Sequence, residues 1–137
     1  MGANKVIKLK YVLLEYNSKV SKYSDELGAY ITQLRPNIRG WKFSIDRMTG
    51  SWEWENRKFE DVVYATWGWE GKNEIPVESS DGIHFKTIKI KLTPPKDTTD
   101  MTFNTHQYTI QLKKDAKKYI DTMKKEFPKI EKKLLEY

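Results

Sequence analysis

The chain contains no cysteine and only two histidines, and these scarcities exclude much chemistry at once. Without thiols there are no disulfides, thiolate metal sites or cysteine nucleophiles. His84 and His106 lie far apart in the chain, outside any zinc-ligand spacing. Neither GxGxxG nor GKS/GKT is present, so no glycine-rich phosphate loop is expected, and GxSxG is missing as well. No apolar run approaches the roughly 18 residues of a membrane span. The opening MGANKVIKLK lacks the apolar core of a signal peptide, so a cytoplasmic or other intracellular location and no membrane partner are expected. No Gly/Ser tract or low-complexity linker breaks the chain, which reads as one α+β domain over residues 1–137.

What is present is charge and aromatic surface. Of 137 residues, 32% are charged and 38% hydrophobic, and five Trp, eight Tyr and five Phe supply the bulk that disordered chains lack. The net charge is +6, and its layout says more than its size. Residues 1–35 carry +3 and residues 107–137 carry +4, whereas 46–81 holds four basic against nine acidic residues, or −5. A basic excess favours nucleic acid or another anionic partner, although many solvated proteins carry as much.

Periodicity divides the chain into three parts. Val6, Leu9, Leu13, Tyr16, Val20, Tyr23, Leu27, Tyr30 and Leu34 recur at alternating spacings of three and four, the seam of a helix that Pro36 and Gly40 would stop. Ile7, Leu9, Tyr11 and Leu13 also alternate with lysines, so 5–14 has a second reading as a strand. From Gly40 to about Thr93 the period is two. Trp41, Phe43 and Ile45 share one strand face, Trp52 and Trp54 the next, and Val63, Ala65, Trp67 and Trp69 a third strand over about 60–70. A weak strand at 74–78, interrupted by Pro76, and a last one at 83–93 complete an antiparallel meander of four to five strands. Residues 94–105 read as a loop, and 106–112 as either strand or helix. From about Lys113 a helical stripe runs through Ala116, Tyr119, Ile120, Met123, Phe127, Ile130 and Leu134, with Pro128 expected to kink that helix or begin another. The expected class is α+β: a meander flanked by a long N-terminal helix and a long, Pro-kinked C-terminal helix. A sheet followed by a long C-terminal helix broadly resembles helix-grip ligand-binding folds. That resemblance implies a pocket for a small hydrophobic ligand between sheet and helix.

Two groups of residues are candidates for binding. Trp52, Trp54, Trp67 and Trp69 put paired indoles on one strand face, either a platform for unpaired bases or the core surface beneath the helices. The acids beside them, Glu53, Glu55, Glu60, Asp61 and Glu70, weigh toward core. The cations Lys42, Arg57, Lys58, Lys86, Lys89 and Lys91, together with nine lysines between 113 and 133, suit phosphate contacts or a solvated surface. Asp46, Glu53, Glu55 and Lys58 loosely match a metal-dependent nuclease set, but nothing else fixes their geometry. No enzyme activity, metal or cofactor is therefore expected. The leading expectation is a nucleic-acid-binding protein, favouring single strands, with a homodimer contact on the remaining surface. The alternative is an assembly protein that engages another protein through its aromatic face or long helices.

Overall fold

A computed structural model describes residues 22–46, 48–67, 74–92 and 105–136, with backbone alone at 105 and 106. The strand-or-helix alternative at 5–14, the first half of the N-terminal seam, Trp69 and most of the 94–105 loop lie outside the described residues. A helix, α1, covers 22–34. Five strands follow: β1 Trp41–Ile45, β2 Trp52–Asn56, β3 Asp61–Tyr64, β4 Glu74–Ser79 and β5 His84–Lys89. The long helix α2, Thr105–Leu135, closes the order. The strands form one antiparallel sheet in sequence order, so β1 and β5 are its two edges among the described residues. The class is α+β, as the periodicities require.

Turn chemistry fixes the register. Asp46 Oδ1 accepts the Met48 amide at 2.8 Å while Gly50 N–H returns to the Asp46 carbonyl at 2.8 Å. Gly50 takes φ +71°, a left-handed conformation that costs glycine little. The hairpin sets Phe43 opposite Trp54 and Ile45 opposite Trp52, and Trp54 then faces Val63. At the next turn the buried Asn56 carboxamide accepts the Lys58 and Phe59 amides, each at 2.9 Å. β3 ends at Tyr64, earlier than the strand expected over 60–70. The cause is local, because the Trp52 amide bonds to the Thr66 hydroxyl at 3.0 Å instead of to a backbone carbonyl, which interrupts the ladder.

Both helices cover the same sheet face. Alternation places Trp41, Phe43, Trp52, Trp54, Val63, Ile75, Val77 and Ile88 beneath them, and all are buried. Gly28 lets α1 lie directly on the sheet: a Cβ there would come within 2.8 Å of Ile45 Cδ1 and 3.0 Å of Trp52 Nε1. From α2, Ala116, Tyr119, Met123, Phe127, Ile130 and Leu134 complete the core. Each buried indole removes about 150–250 Å² from water, a gross gain of ~4–6 kcal/mol before conformational entropy is subtracted. The helices meet through polar contacts as well. The Tyr23 hydroxyl donates to the buried Asp115 carboxylate, Gln111 Nε2 donates to the same carboxylate at 3.0 Å, and the Tyr108 hydroxyl donates to Glu26. Burial and the neighbouring carboxylate push both phenols well above their ordinary range.

α2 begins at Thr105, which decides the alternative at 106–112 for helix and joins it to the stripe expected from about Lys113. Tyr108, Ile110 and Leu112 alternate as a strand would, yet Tyr108 and Leu112 are one helical turn apart and both pack on the core while Ile110 is exposed. The helix assignment continues through Pro128 without a break. Among the described residues, no helix is long and apolar enough to cross a membrane.

Candidate nucleic-acid interface

Each of the four described indoles is committed to the interior. Trp52 meets the Tyr119 ring edge-on at 4.9 Å, and Trp54 Nε1 donates to the Tyr119 hydroxyl at 3.1 Å. Trp67 Nε1 donates to Ser24 Oγ at 3.0 Å. Trp41 stacks on Phe127 with centroids 4.1 Å apart, and its Nε1 donates to Glu131 Oε1 at 2.7 Å. None of the four is more than 5% exposed. Trp52, Trp54 and Trp67 are therefore core residues rather than a base-stacking platform, a correction to that expectation. The reason is supply: two amphipathic helices on one sheet face need an apolar floor, and the indoles are that floor.

The opposite sheet face is half-exposed and largely acidic. Register places Glu53 opposite Tyr64 and Tyr64 opposite Glu78, Glu55 between Lys42 and Val62, and Glu74 opposite Lys89. Lys42 and Lys89 thus stand on opposite edges, each across from a glutamate. Burial and then the charge of neighbouring Asp46 push the Glu53 carboxyl above its ordinary value. The Met48 and Thr49 amides hold Asp46 low, as befits a turn-forming carboxylate. Glu55 adds nothing to an ion site here. Among the described residues no group of three or more acids and histidines is arranged to hold a metal.

The cations named from the sequence divide into two sets. Lys86 belongs to a structural pair: its Nζ lies 2.7 Å from Glu126 Oε2, and Lys129 approaches the same carboxylate at 3.5 Å. Burial alone would raise the Glu126 carboxyl, but the two ammonium groups outweigh it and hold it below its ordinary value. A bulge between Val77 and Glu78 turns Phe85 and Lys86 toward this helix side. Lys89 and Lys91 stay exposed along the far edge. Lys58 lies 5.5 Å from the Phe59 ring centroid in the β2–β3 turn.

Lys42 and Arg57, by contrast, come together. With Arg35 and Asn37 they line a cleft of about 430 Å³ between the end of α1 and the outer edge of β1, with Trp41 and Phe43 as its apolar floor. Arg57 is brought in by its amide, which bonds to the Gly40 carbonyl at 3.0 Å and extends the β1–β2 ladder. Arg35 ends α1 in a left-handed conformation, φ +47°, at the position where glycine is usual. Among the described residues, Arg35, Lys42 and Arg57 make no ion pair. Arg35 was not among the residues the sequence singled out. Its signal was slight: an arginine between the last helical apolar residue, Leu34, and a proline.

The largest basic surface is on α2. Lys113, Lys114, Lys117, Lys118, Lys124, Lys125, Lys129, Lys132 and Lys133 are all exposed, and at 100° per residue they occupy the side opposite the core stripe. One flank of α2 reaches β1 through Phe127 and Glu131, which contact Trp41. The other reaches β5, where Lys133 Nζ donates to the Phe85 carbonyl at 2.7 Å. Trp41 thus joins the cationic cleft to the β1-side flank of the lysine-covered helix. No family model matches the chain, nor does any curated protein or solved structure.

Proposed function

We propose that this protein binds nucleic acid without catalysing a reaction, holding phosphates with the exposed lysines of α2 and the cations beside β1. One observation carries the reading: nine exposed lysines lie along a single 31-residue helix, and seven of them, all but Lys129 and Lys133, make no bond to the rest of the fold among the described residues. From 113 to 133 they span ~30 Å at 1.5 Å per residue, room for several phosphates of one strand. The acids within that stretch are few, and two of them, Asp115 and Glu126, are buried and already bonded. Contacts of this kind read the backbone rather than the bases, so weak sequence specificity goes with them. Stacking makes no contribution from the buried indoles, and the preference for single strands rests instead on the cleft's volume of about 430 Å³, room for about one nucleotide.

The test is fluorescence anisotropy of labelled single- and double-stranded oligonucleotides at two salt concentrations, with intrinsic Trp emission followed in parallel. Binding that weakens steeply with salt and leaves Trp emission nearly unchanged is the expected result. Absence of binding to either substrate at low salt refutes the proposal. A second reading, docking of a basic protein, is favoured by the acidic row Glu53, Glu55 and Glu78 around Tyr64 on the open sheet face. It predicts salt-sensitive protein complexes that Glu→Gln changes on that face weaken.

A further inference from the structure

We infer that the cleft bounded by Arg35, Lys42 and Arg57 is a receptor for the terminal phosphate of a nucleic-acid strand, a finer assignment that rests on the binding function proposed above. Three observations converge on it. First, Arg35, Lys42 and Arg57 line one cavity, and among the described residues none lies within ion-pair distance of a carboxylate, although Lys42 stands across the ladder from Glu55. Cations drawn together repel one another even with one glutamate opposite Lys42, and a phosphate dianion relieves that repulsion. An internal phosphodiester carries one charge, whereas a terminal phosphomonoester carries about 1.5 to 2 near neutral pH, so three cations suit the end of a strand better than its interior.

Second, the backbone contributes a donor. Ladder bonds join Arg57 N to Gly40 O and Asp46 N to Ser51 O, and this parity turns the Phe43 amide away from β2, toward the outer edge of β1. Among the described residues no strand pairs with that edge, and Phe43 lines the cleft. An amide and the Asn37 carboxamide can therefore meet phosphate oxygens beside the guanidinium groups. Charge-assisted bonds of this type are the stronger class of protein hydrogen bond. Third, Arg35 holds φ +47° where glycine would be relaxed. Backbone strain of this sort persists where the side chain's placement matters, and binding sites are where it collects.

Size limits the ligand further. A volume near 430 Å³ accommodates about one nucleotide. Trp41 and Phe43 are too buried to stack with a base, so recognition falls on the phosphate and is indifferent to base identity.

The experiment compares the full chain's affinity for one single-stranded sequence carrying a 5′-phosphate, a 3′-phosphate or hydroxyls at both ends, with the dye placed internally. A phosphorylated end should bind about tenfold more tightly than the hydroxyl form, as expected for several charge-assisted bonds. Arg57→Gln and Lys42→Gln, both at exposed side chains, should each pull that ratio toward one, and circular dichroism confirms that the variants fold. The 5′ and 3′ arms identify which end is received. Equal affinity for all three ligands overturns the cleft assignment while leaving nucleic-acid binding intact. No binding of any of them at low salt overturns both. Competition by an acidic peptide as effective as that by a phosphorylated dinucleotide overturns the assignment in favour of a protein ligand.

Discussion

Removing one oxygen tests whether the indoles belong to the core. The Tyr119 side chain is fully buried; its hydroxyl donates to the Ala65 carbonyl and accepts the Trp54 indole N–H at 3.1 Å. Burial also pushes this phenol well above its ordinary range, so it stays protonated at any working pH. Tyr119→Phe keeps the ring, and with it the edge contacts to Trp52 at 4.9 Å and Phe43 at 6.3 Å. It strands one donor and one acceptor where water cannot reach. Each unsatisfied buried group costs about 1–3 kcal/mol, and the easier burial of phenylalanine offsets part of the sum, so a net loss of ~2–3 kcal/mol follows. In urea denaturation the midpoint should fall with m unchanged. Thermal unfolding should begin ~6–12 °C lower. Tyr64→Phe, on the half-exposed outer face, is the control and should stay within about 0.5 kcal/mol of the parent. If Tyr119→Phe costs no more than the control, the Trp54–Tyr119–Ala65 chain is not formed. The indoles would then be free to serve as a binding surface after all.

Three further outcomes follow from the same geometry. Lys117→Gln combined with Lys124→Gln should reduce the salt slope of duplex binding by ~2, or of single-strand binding by ~1.4, and lower affinity at 0.1 M salt by about one to two orders of magnitude; anisotropy titrations read both, and an unchanged slope removes α2 from the interface. Glu126, held below its ordinary 4.5, stabilises the fold fully above that pH and loses the contribution as pH falls through its folded value. Lys86→Met removes the nearer ammonium, so urea midpoints should show its deficit at pH 7 shrinking toward pH 3.5; a pH-independent deficit means the pair does not govern Glu126. Arg35→Gly should relieve the left-handed strain and raise stability by about 0.5–1 kcal/mol while weakening oligonucleotide binding, and calorimetry beside anisotropy would expose any variant in which the two move together.

Strand faces were legible because alternation is a local property. Trp41-Lys42-Phe43 and Trp52-Glu53-Trp54 each declare which side chains share a side, and the turn at Asp46–Gly50 declares that the strands pair. Alternation does not say which side is covered. Glu53 and Glu55 hinted at it, since two glutamates between two tryptophans suit water on their own face, and the open face is indeed theirs. Local pattern left two readings open where tertiary packing chose between two periods. Tyr108, Ile110 and Leu112 fit period two, but Tyr23 and Glu26 of α1 offer Tyr108 a partner only if 105–112 is helical. The end of β3 was equally hidden, because it depends on the Thr66 hydroxyl capturing an amide fourteen residues away.

The candidate site was legible as charges and illegible as a place. Lys42 and Arg57 are fifteen residues apart and carry no shared motif; the β1–β2 hairpin makes them neighbours, and the turn from α1 into β1 adds Arg35. Segment charges, −5 over 46–81 against +4 over 107–137, become meaningful only once the sheet is assembled. Its acids then gather on the outer face, its indoles vanish beneath the helices, and the unpaired cations are left at the β1 edge and along α2. A polyanion approaching this molecule meets repulsion from the sheet face and attraction from the helix. With a Debye length near 8 Å at physiological salt, the two surfaces act separately rather than cancelling across the ~10 Å that separates packed layers. The modest net charge of +6 therefore understates the attraction available on the α2 side, which is where a nucleic acid has reason to settle.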